Sequence, residues 1–325
     1  MEQKIIIGVD VSKLTLDIFV KPAGEHAQIG NTSKAIARWL KHLCGRNDYR
    51  HLFVLMEHTG RYSRQLEQAL SKQDIPYCKL PALQIMRSLG MVRGKNDKVD
   101  AARIAEYGWL RRETLVADLP VPEIIISLRD RLTLRTQLVK DRSRFICRLK
   151  EIKSIGSTDH DLIAFYQHEI AHASANIKKL EQQIKVLIKN NEGIKRTFEL
   201  LTSIKGVALI VATQMICKTN NFARFSNARK FNCYAGLAPF THQSGTSIKS
   251  KSRISHLADK QMKTLLTQSA RSAARYDPEL KAYYQRRVRE GKNKKQCLNI
   301  IKAKIVARMF AVVKRQTPYA LRIAS

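Results

Sequence analysis

A chain of 325 residues is long enough for two or three folding units, each with its own hydrophobic core. Lys and Arg outnumber Asp and Glu by 59 to 27, and the formal net charge of +32 with a pI near 10.2 predicts a polyanionic partner, above all nucleic acid. The longest apolar run, residues 207–217, falls well short of the roughly 18 residues of a membrane span, which excludes a membrane-spanning protein.

Short apolar runs and helical patterns alternate over the first third of the chain, which is typical of an α/β domain. The first three strand patterns are too closely spaced for helical crossovers, so we expect them to pair as an antiparallel meander. Two later strands each follow a helix and should run parallel, which gives a mixed sheet. The predicted elements, in order, are strands 5–10, 15–20 and 27–31, helix 33–43, strand 51–57, helix 61–70, strand 76–81 and helix 96–109.

Two acidic residues stand at the ends of predicted strands, Asp10 after IIIGV and Glu57 after HLFVLM. Strand ends are where α/β folds commonly place their sites, so these two side chains can converge. Asp97 and Asp100 follow at the start of a helix, on one face of it. Four such carboxylates suit Mg²⁺ or Mn²⁺ in an enzyme that cleaves phosphodiesters. The helical pair also has a purely structural explanation, because acids at a helix start cap it and interact well with its dipole.

Long helices with few Gly or Pro are predicted from about 123 to 191, split near Gly156. The second helix has a heptad seam, which is typical of a coiled coil. The first has a weaker seam, interrupted by Arg135 and Arg142, so the two helices pair either with each other or with another protomer. The residues of the stronger seam are Ile163, Tyr166, Ile170, Ala173, Ile177, Leu180, Ile184, Leu187 and Asn191.

One short pattern in the second long helix is shared with zinc proteases. His168, Glu169 and His172 fit the HExxH spacing, which places two imidazoles on one helix face. No third ligand is evident in the sequence, and the pattern overlaps the heptad seam. A surface helix is therefore the better interpretation.

The last part of the chain carries most of the positive charge. Residues 201–325 hold 25 Lys or Arg and only 4 Asp or Glu, so we expect this part to bind phosphates. Within it, residues 200–215 (LLTSIKGVALIVATQM) form either a helix-hairpin-helix that meets DNA at a glycine or a plain buried helical hairpin. The candidate nucleic-acid-binding residues are Lys205, Gly206, Lys249, Lys251 and Arg253.

Ser244 lies in a polar segment that we expect to be a loop, directly before Gly245. A Ser-Gly pair is an ordinary turn signal. However, a serine hydroxyl that a carboxylate-held metal activates, with His242 as a possible helper, can attack a DNA phosphate. A phosphoserine link retains the bond energy that hydrolysis would discard, so a recombinase has a use for serine at this position.

Together these segments resemble the DEDD transposases of the insertion-sequence one-hundred-and-ten family, relatives of the Piv DNA invertase, over nearly the whole chain. The individual motifs are modest, but their combination is specific. The matching segments are IGVDVSK (7–13), LMEHTGRYS (55–63), VRGKNDKVDAARIAEY (92–107), the Gly206 hairpin, YAGLAPFTHQSGTS (234–247) and DPELKAYYQRRVREGK (277–292).

The resemblance implies a RuvC-like, ribonuclease-H-type nuclease domain in residues 1–118, a coiled-coil oligomerisation region in 119–192 and a mostly helical transposase domain in 193–325. It implies a DNA recombinase whose four acids bind Mg²⁺ and whose nucleophile is Ser244. It further implies assembly as a homodimer or homotetramer, and guidance by a structured, element-encoded RNA that pairs with donor and target DNA.

Two other functions stay open on the residues alone. One is a RuvC-like nuclease that hydrolyses DNA with water, in which Ser244 is only part of a loop. The other is a non-enzymatic, basic nucleic-acid-binding protein whose acids only cap helices. A covalent protein-DNA adduct distinguishes the recombinase from both.

The cysteines bear on the cellular setting. The six Cys contain no CxxC pair, and the first strand pattern starts almost at residue 1 with no leader pattern before it. We therefore expect a reducing environment and a cytoplasmic, nucleoid-associated bacterial protein.

Overall fold

The computed structural model describes residues 4–46, 51–88, 97–156, 158–244, 248–255 and 257–320, with the backbone alone for 46 and 240–253. The chain forms two compact units, Met1–Pro120 and Val121–Ser325. All six cysteines are free thiols in this structure.

The first unit is a mixed five-stranded sheet with helices. Its sheet order is β3-β2-β1-β4-β5, in which the first three strands form an antiparallel meander and β4 and β5 run parallel to β1. The mixed sheet and the predicted strand directions are confirmed, whereas the order of the strands was not predicted. The elements are β1 (Ile5–Val11), β2 (Thr15–Lys21), β3 (Glu25–Gly30), α1 (Ser33–Arg46), β4 (Leu52–Glu57), α2 (Arg64–Lys72), β5 (Tyr77–Leu80), α3 (Ala82–Ser88) and α4 (Asp97–Leu110).

The two faces of this sheet pack against different helices. Successive residues of a strand point to opposite faces, so Ile7 and Val9 of β1 join a core with α1 and α2. Ile6, one residue out of phase, packs instead with Leu55 and with Ile104 of α4. The even-numbered residues of β1 therefore face α4.

Two long helices begin the second unit, α5 (Glu123–Ser154) and α6 (His160–Lys189). They lie antiparallel within one chain, joined by a short connection. Arg135, which interrupts the predicted seam of α5, pairs with Glu181 of α6 at 2.7 Å. Farther along, Phe145 lies 6.1 Å from Tyr166 between ring centroids. Of the two predicted pairings, this structure has the helices paired with each other.

The stronger heptad seam is the inner face of this helical hairpin. Its middle residues, from Ala173 to Ile184, are buried, and its first residues, from Ile163 to Ile170, are half-buried. Ile184 and Leu132 also belong to the core that the following helices form. The segment predicted as a separate coiled-coil region, 119–192, thus shares one compact unit with residues 193–325.

Shorter helices and one strand hairpin complete the second unit. At its centre lies α8, which has buried residues on all of its faces. The elements are α7 (Glu192–Thr202), α8 (Leu209–Thr219), α9 (Ala228–Tyr234), β6 (Phe240–Ser244), β7 (Ile248–Arg253), α10 (Lys260–Tyr276), α11 (Pro278–Arg289) and α12 (Lys294–Arg315).

Candidate active site

Adjacent parallel strands bring the first two predicted site residues together. Val9 of β1 pairs with Met56 of β4, so Asp10 and Glu57 are the next residues on the two strands. Because Asp10 is an even-numbered residue of β1, it projects towards the α4 side of the sheet. Both acids are half-buried at this strand end.

The other two acids arrive through a close approach of α4 to β1. At Gly8 there is no room for a side chain, since a Cβ would lie 2.3 Å from both the Ala101 oxygen and the Ala105 nitrogen. Gly8 is two residues before Asp10 on the same face, and Ala101 directly follows Asp100. This crossing brings the first turn of α4, with its two acids, to the end of β1.

The four acids interact electrostatically. The pKa of Asp10 is raised to about 6, first by burial and then by the negative charges of Asp100, Asp97 and Glu57. Asp100 also accepts a hydrogen bond from Arg103 at 2.8 Å, which offsets part of this charge. An excess of buried negative charge is what a bound cation relieves.

The described residues nevertheless do not form a preassembled metal-binding site. Among them, no group of three or more His, Cys, Asp or Glu side chains lies close enough together to hold a metal ion. The negative charges of the acids therefore affect the pKa of Asp10, but the carboxylates do not meet at one point. As a donor set, four carboxylates at strand ends and a helix start fit a hard divalent cation, which prefers oxygen ligands.

A fifth acid, which the sequence reasoning missed, lies on the same face of the sheet. Asp17 of β2 pairs directly with Asp10 of β1 and is only 3% exposed. The Gln28 Nε2 donates to both of its carboxylate oxygens at 3.1 Å, and the His26 Nε2 lies 3.4 Å away. The sequence did contain one sign of this residue, because Asp17 is an acid between two apolar residues, Leu16 and Ile18, of a predicted strand.

Ser244 ends a strand rather than lying in a loop, which corrects the expected loop. It is the last residue of β6 and pairs with Ile248, the first residue of β7, in an antiparallel hairpin. The polar sequence of both strands lacks the apolar alternation that identifies a strand, so the hairpin was not predicted. The side chains of Ser244, Lys249, Lys251 and Arg253 lie outside the description, as do residues 245–247.

The segment around Gly206 forms a helical hairpin from α7 and α8. Gly206 has φ +90°, and a Cβ there would lie 2.6 Å from the Ser269 oxygen of α10. The Ser269 hydroxyl donates to the Gly206 carbonyl at 2.6 Å. The glycine is thus used for close packing against α10, while Lys205 beside it is exposed.

The HExxH residues lie on the outer surface of α6. His168 and His172 are exposed and stack at 6.2 Å between ring centroids, and Glu169 contacts His168. Their side chains belong to no metal-binding group among the described residues. The structure therefore agrees with the interpretation of a surface helix.

Two family models match the chain. The model of DEDD-type IS110 transposases matches residues 7–152, and that of the transposase IS116/IS110/IS902 family matches residues 198–285. The chain belongs to the IS110 transposase family. Its four predicted acids fall in the first matched segment of this family and Ser244 in the second.

Similar proteins support the same assignment along the chain. Pilin gene-inverting proteins of Moraxella bovis and Moraxella lacunata are each 27% identical over 98% of this chain and 99% of their own length. An uncharacterized 43.6 kDa protein of insertion element IS110 from Streptomyces coelicolor is 30% identical over 45% of this chain and 35% of its own.

Membership of the IS110 family makes this protein a DNA recombination enzyme of the transposase class, with DNA as its substrate. The basic composition agrees with such a substrate. Within the part of the chain that the structure describes, the helices are all too short or too polar to cross a membrane.

Proposed function

We propose that this IS110-family protein cuts and rejoins DNA through a covalent phosphoserine link at Ser244. The observation that carries the proposal is the gathering of Asp10, Glu57, Asp97 and Asp100 at one end of the sheet, where three of the acids raise the pKa of the fourth. Perturbed acids of this kind cluster at functional sites. Their position in the segment that matches DEDD-type transposases supports the same role.

We propose that the four acids hold Mg²⁺ or Mn²⁺. The donor set fits, because these ions take carboxylate oxygens and the site carries negative charge to be neutralised. When bound, the ion supplies charge stabilisation for the attacking and leaving oxygens of the phosphodiester. The acids themselves orient that charge, and Arg103 restrains Asp100.

The proposed chemical step is a transesterification. The Ser244 Oγ forms a bond to phosphorus as one phosphorus-oxygen ester bond of the DNA breaks. The proton leaves Oγ, and the departing sugar oxygen takes up a proton. Because one ester bond replaces another, the reverse attack by a DNA hydroxyl reseals a strand without ATP.

The chemistry needs residues from both units of the chain. The acids belong to the unit Met1–Pro120, and Ser244 belongs to the unit Val121–Ser325. We propose a homodimer or homotetramer as the active form, so that assembly licenses cleavage. A structured guide RNA is the further partner that the family resemblance suggests.

Trapping the covalent intermediate tests the proposal. Cells that carry the coding sequence with its natural flanking DNA are lysed in SDS, and protein-linked DNA is recovered and digested. Mass spectrometry of the peptides should then find a nucleotide phosphate on Ser244. Ser244→Ala should abolish the adduct while DNA binding stays, and Asp10→Asn should abolish it while the fold stays.

Ser250→Ala, in the same hairpin, is the matched control and should retain the adduct. Adducts that persist in Ser244→Ala contradict the proposed nucleophile. Strand breaks without any adduct in the natural protein would instead indicate hydrolysis by water. Cleavage by Asp10→Asn at the natural rate would reject the role of the acids.

A further inference from the structure

Lys302 is buried in the core side of α12. Its side chain is 6% exposed, and among the described residues it is the one Lys or Arg that is buried. Burial lowers the pKa of Lys302, and the positive charge of Lys263 lowers it further. Lysine is almost never buried to this extent without a partner, so the position calls for an explanation.

Lys302 and Lys263 lie where α12 and α10 meet the turn that leads into β6. Asn299, one helical turn before Lys302, donates its amide to the Leu237 oxygen at 2.9 Å. A Cβ on Gly236, the preceding residue, would lie 3.9 Å from the Lys263 Cδ and 3.0 Å from the Ile254 Cγ2. Ile254 directly follows β7. The two lysines are thus at the base of the β6–β7 hairpin.

Nothing in the surrounding sequence neutralises these two charges. Residues 240–256, which make up the hairpin and the segment after it, contain no Asp or Glu. The nearest acid along the chain, Asp259, already pairs with Lys218 at 2.7 Å and accepts a hydrogen bond from Tyr234. Within the described ranges, no carboxylate forms an ion pair with either Lys263 or Lys302.

Two lysine side chains whose positive charges repel each other, one of them buried, are costly unless an anion joins them. We propose that Lys263 and Lys302 form a phosphate-binding site that takes one phosphodiester group of a DNA strand lying along the β6–β7 hairpin. The inference rests on the proposed function, in that DNA is the polyanion and Ser244 is at the far end of the same hairpin.

The length of β6 gives the spacing that this site implies. The four steps from Phe240 to Ser244 span about 13 Å at about 3.3 Å per residue. Along a B-form strand, at about 3.4 Å per nucleotide, the same distance corresponds to about four nucleotides. The lysine pair therefore fixes the strand at a phosphate about four nucleotides from the one at Ser244 and holds its register.

Binding measurements with charge-removing variants test this site. A short fluorescein-labelled DNA duplex is titrated with the full chain between about 50 and 200 mM salt, and the binding constant is followed by fluorescence anisotropy. Lys302→Met should make the negative slope of log K against log salt less steep by about 0.9. This change corresponds to about eightfold weaker binding at 0.1 M salt. Lys263→Met should do the same.

The matched control is Lys314→Met, which removes one exposed charge from the same helix, away from the hairpin. Lys302→Met should keep or raise the thermal midpoint, because an apolar chain of similar length replaces a buried charge. If it fails to fold, the partly exposed Lys263→Met decides the question. Equal slopes and affinities for the Lys263→Met, Lys302→Met and Lys314→Met chains would overturn the inference.

Two further comparisons separate the sources of a failure. An RNA of the same length is titrated in parallel, and a loss confined to RNA would overturn the assignment to DNA. Ser250→Ala, which changes an uncharged residue of the hairpin, enters the same titration, where it should bind as the natural chain does. The titration measures DNA affinity and not adduct formation. Its result therefore tests the phosphate site separately from the proposed role of Ser244 as nucleophile.

Discussion

Asp10 and Asp17 stand opposite each other across the antiparallel pair of β1 and β2, on the face of the sheet that α4 covers. Directly opposed residues share a face, and like charges at such positions destabilise a sheet. Asp17 is nevertheless buried, because Gln28 and His26 surround its carboxylate. Asp17 thus lies beside the candidate site and has hydrogen-bond partners of its own.

Asp17→Ala should destabilise the first unit by about 1–3 kcal/mol, since it leaves the Gln28 amide without its acceptor. Asp17→Asn, which keeps one acceptor oxygen, should cost less. Both tryptophans, Trp39 and Trp109, belong to this unit, so urea unfolding followed by tryptophan fluorescence reports on it alone. Glu113→Ala, at an exposed side chain, is the control, and equal losses in it and Asp17→Ala would contradict the prediction.

Gly8→Ala should destabilise the first unit by about 3 kcal/mol or more, because the new Cβ would overlap backbone atoms that cannot rotate away. The displaced α4 should carry Asp97 and Asp100 with it, so covalent adducts should fall as well. Gly45→Ala provides the comparison, since no atom lies within 4 Å of its Cβ and the residue is in a helix. It should unfold at the same or slightly higher urea concentration. A folded, fully active Gly8→Ala would show that the close approach is not needed.

Asp259 should make the second unit sensitive to acid. Burial alone would raise the pKa of Asp259, but hydrogen bonds from Lys218, the Met262 amide and Tyr234 outweigh it and lower the pKa. A lowered folded-state pKa gives stability that is complete above the ordinary value of 3.8 and is lost as the pH falls through the folded value.

Asp259→Asn isolates this charge, because Asn also caps helices well and should preserve the start of α10. The difference in free energy of unfolding between the natural chain and this variant should shrink as the pH falls below 3.8. Circular dichroism in urea at several pH values measures it. Lys218→Met should weaken the same pH dependence, because the Met262 amide and the Tyr234 hydroxyl still donate hydrogen bonds to Asp259. A difference that stays constant with pH would refute the linkage.

Arg308 supports a fully buried acid in the same unit. Asp277 is 0% exposed, caps α11 and pairs with Arg308 at 2.7 Å, whereas Glu279, the other partner of Arg308, is exposed. Arg308→Met should therefore cost about 3–5 kcal/mol, because it leaves the buried Asp277 carboxylate without its ion-pair partner. Glu279→Gln removes only an exposed ion pair and should cost less than about 1 kcal/mol. Thermal unfolding followed by circular dichroism compares the two, and similar midpoints would argue against the burial explanation.

Much of the first unit could be predicted because its strands follow simple periodic patterns. Runs such as IIIGVD and HLFVLME end in acids, and the positions of Asp10 and Glu57 follow from the parallel pairing of their strands. The proximity of Asp97 and Asp100 required the crossing at Gly8, which depends on the tertiary packing of α4. Their chemistry and their position at a helix start grouped these two acids with Asp10 and Glu57, and the family resemblance added support for the grouping.

The features that the sequence reasoning missed depend on long-range neighbours. Asp17 looks like an ordinary strand residue until Gln28 and His26 are placed beside it. The β6–β7 hairpin has too few apolar residues to show a period of two. Lys302 lies in a helix rich in lysine, and only its packing against the Lys263 region distinguishes it from exposed neighbours.

The crossing of α4 over β1 at Gly8 is made by main-chain atoms of both elements. Such a crossing has no side chain that a substitution can shorten, lengthen or turn to another rotamer. Hydrophobic residues around it can therefore be exchanged and repacked while the strand and the helix keep their separation at this point. The distance between the acids of β1 and those of α4 is therefore set by backbone contact, and substitutions in the surrounding hydrophobic core should leave it unchanged.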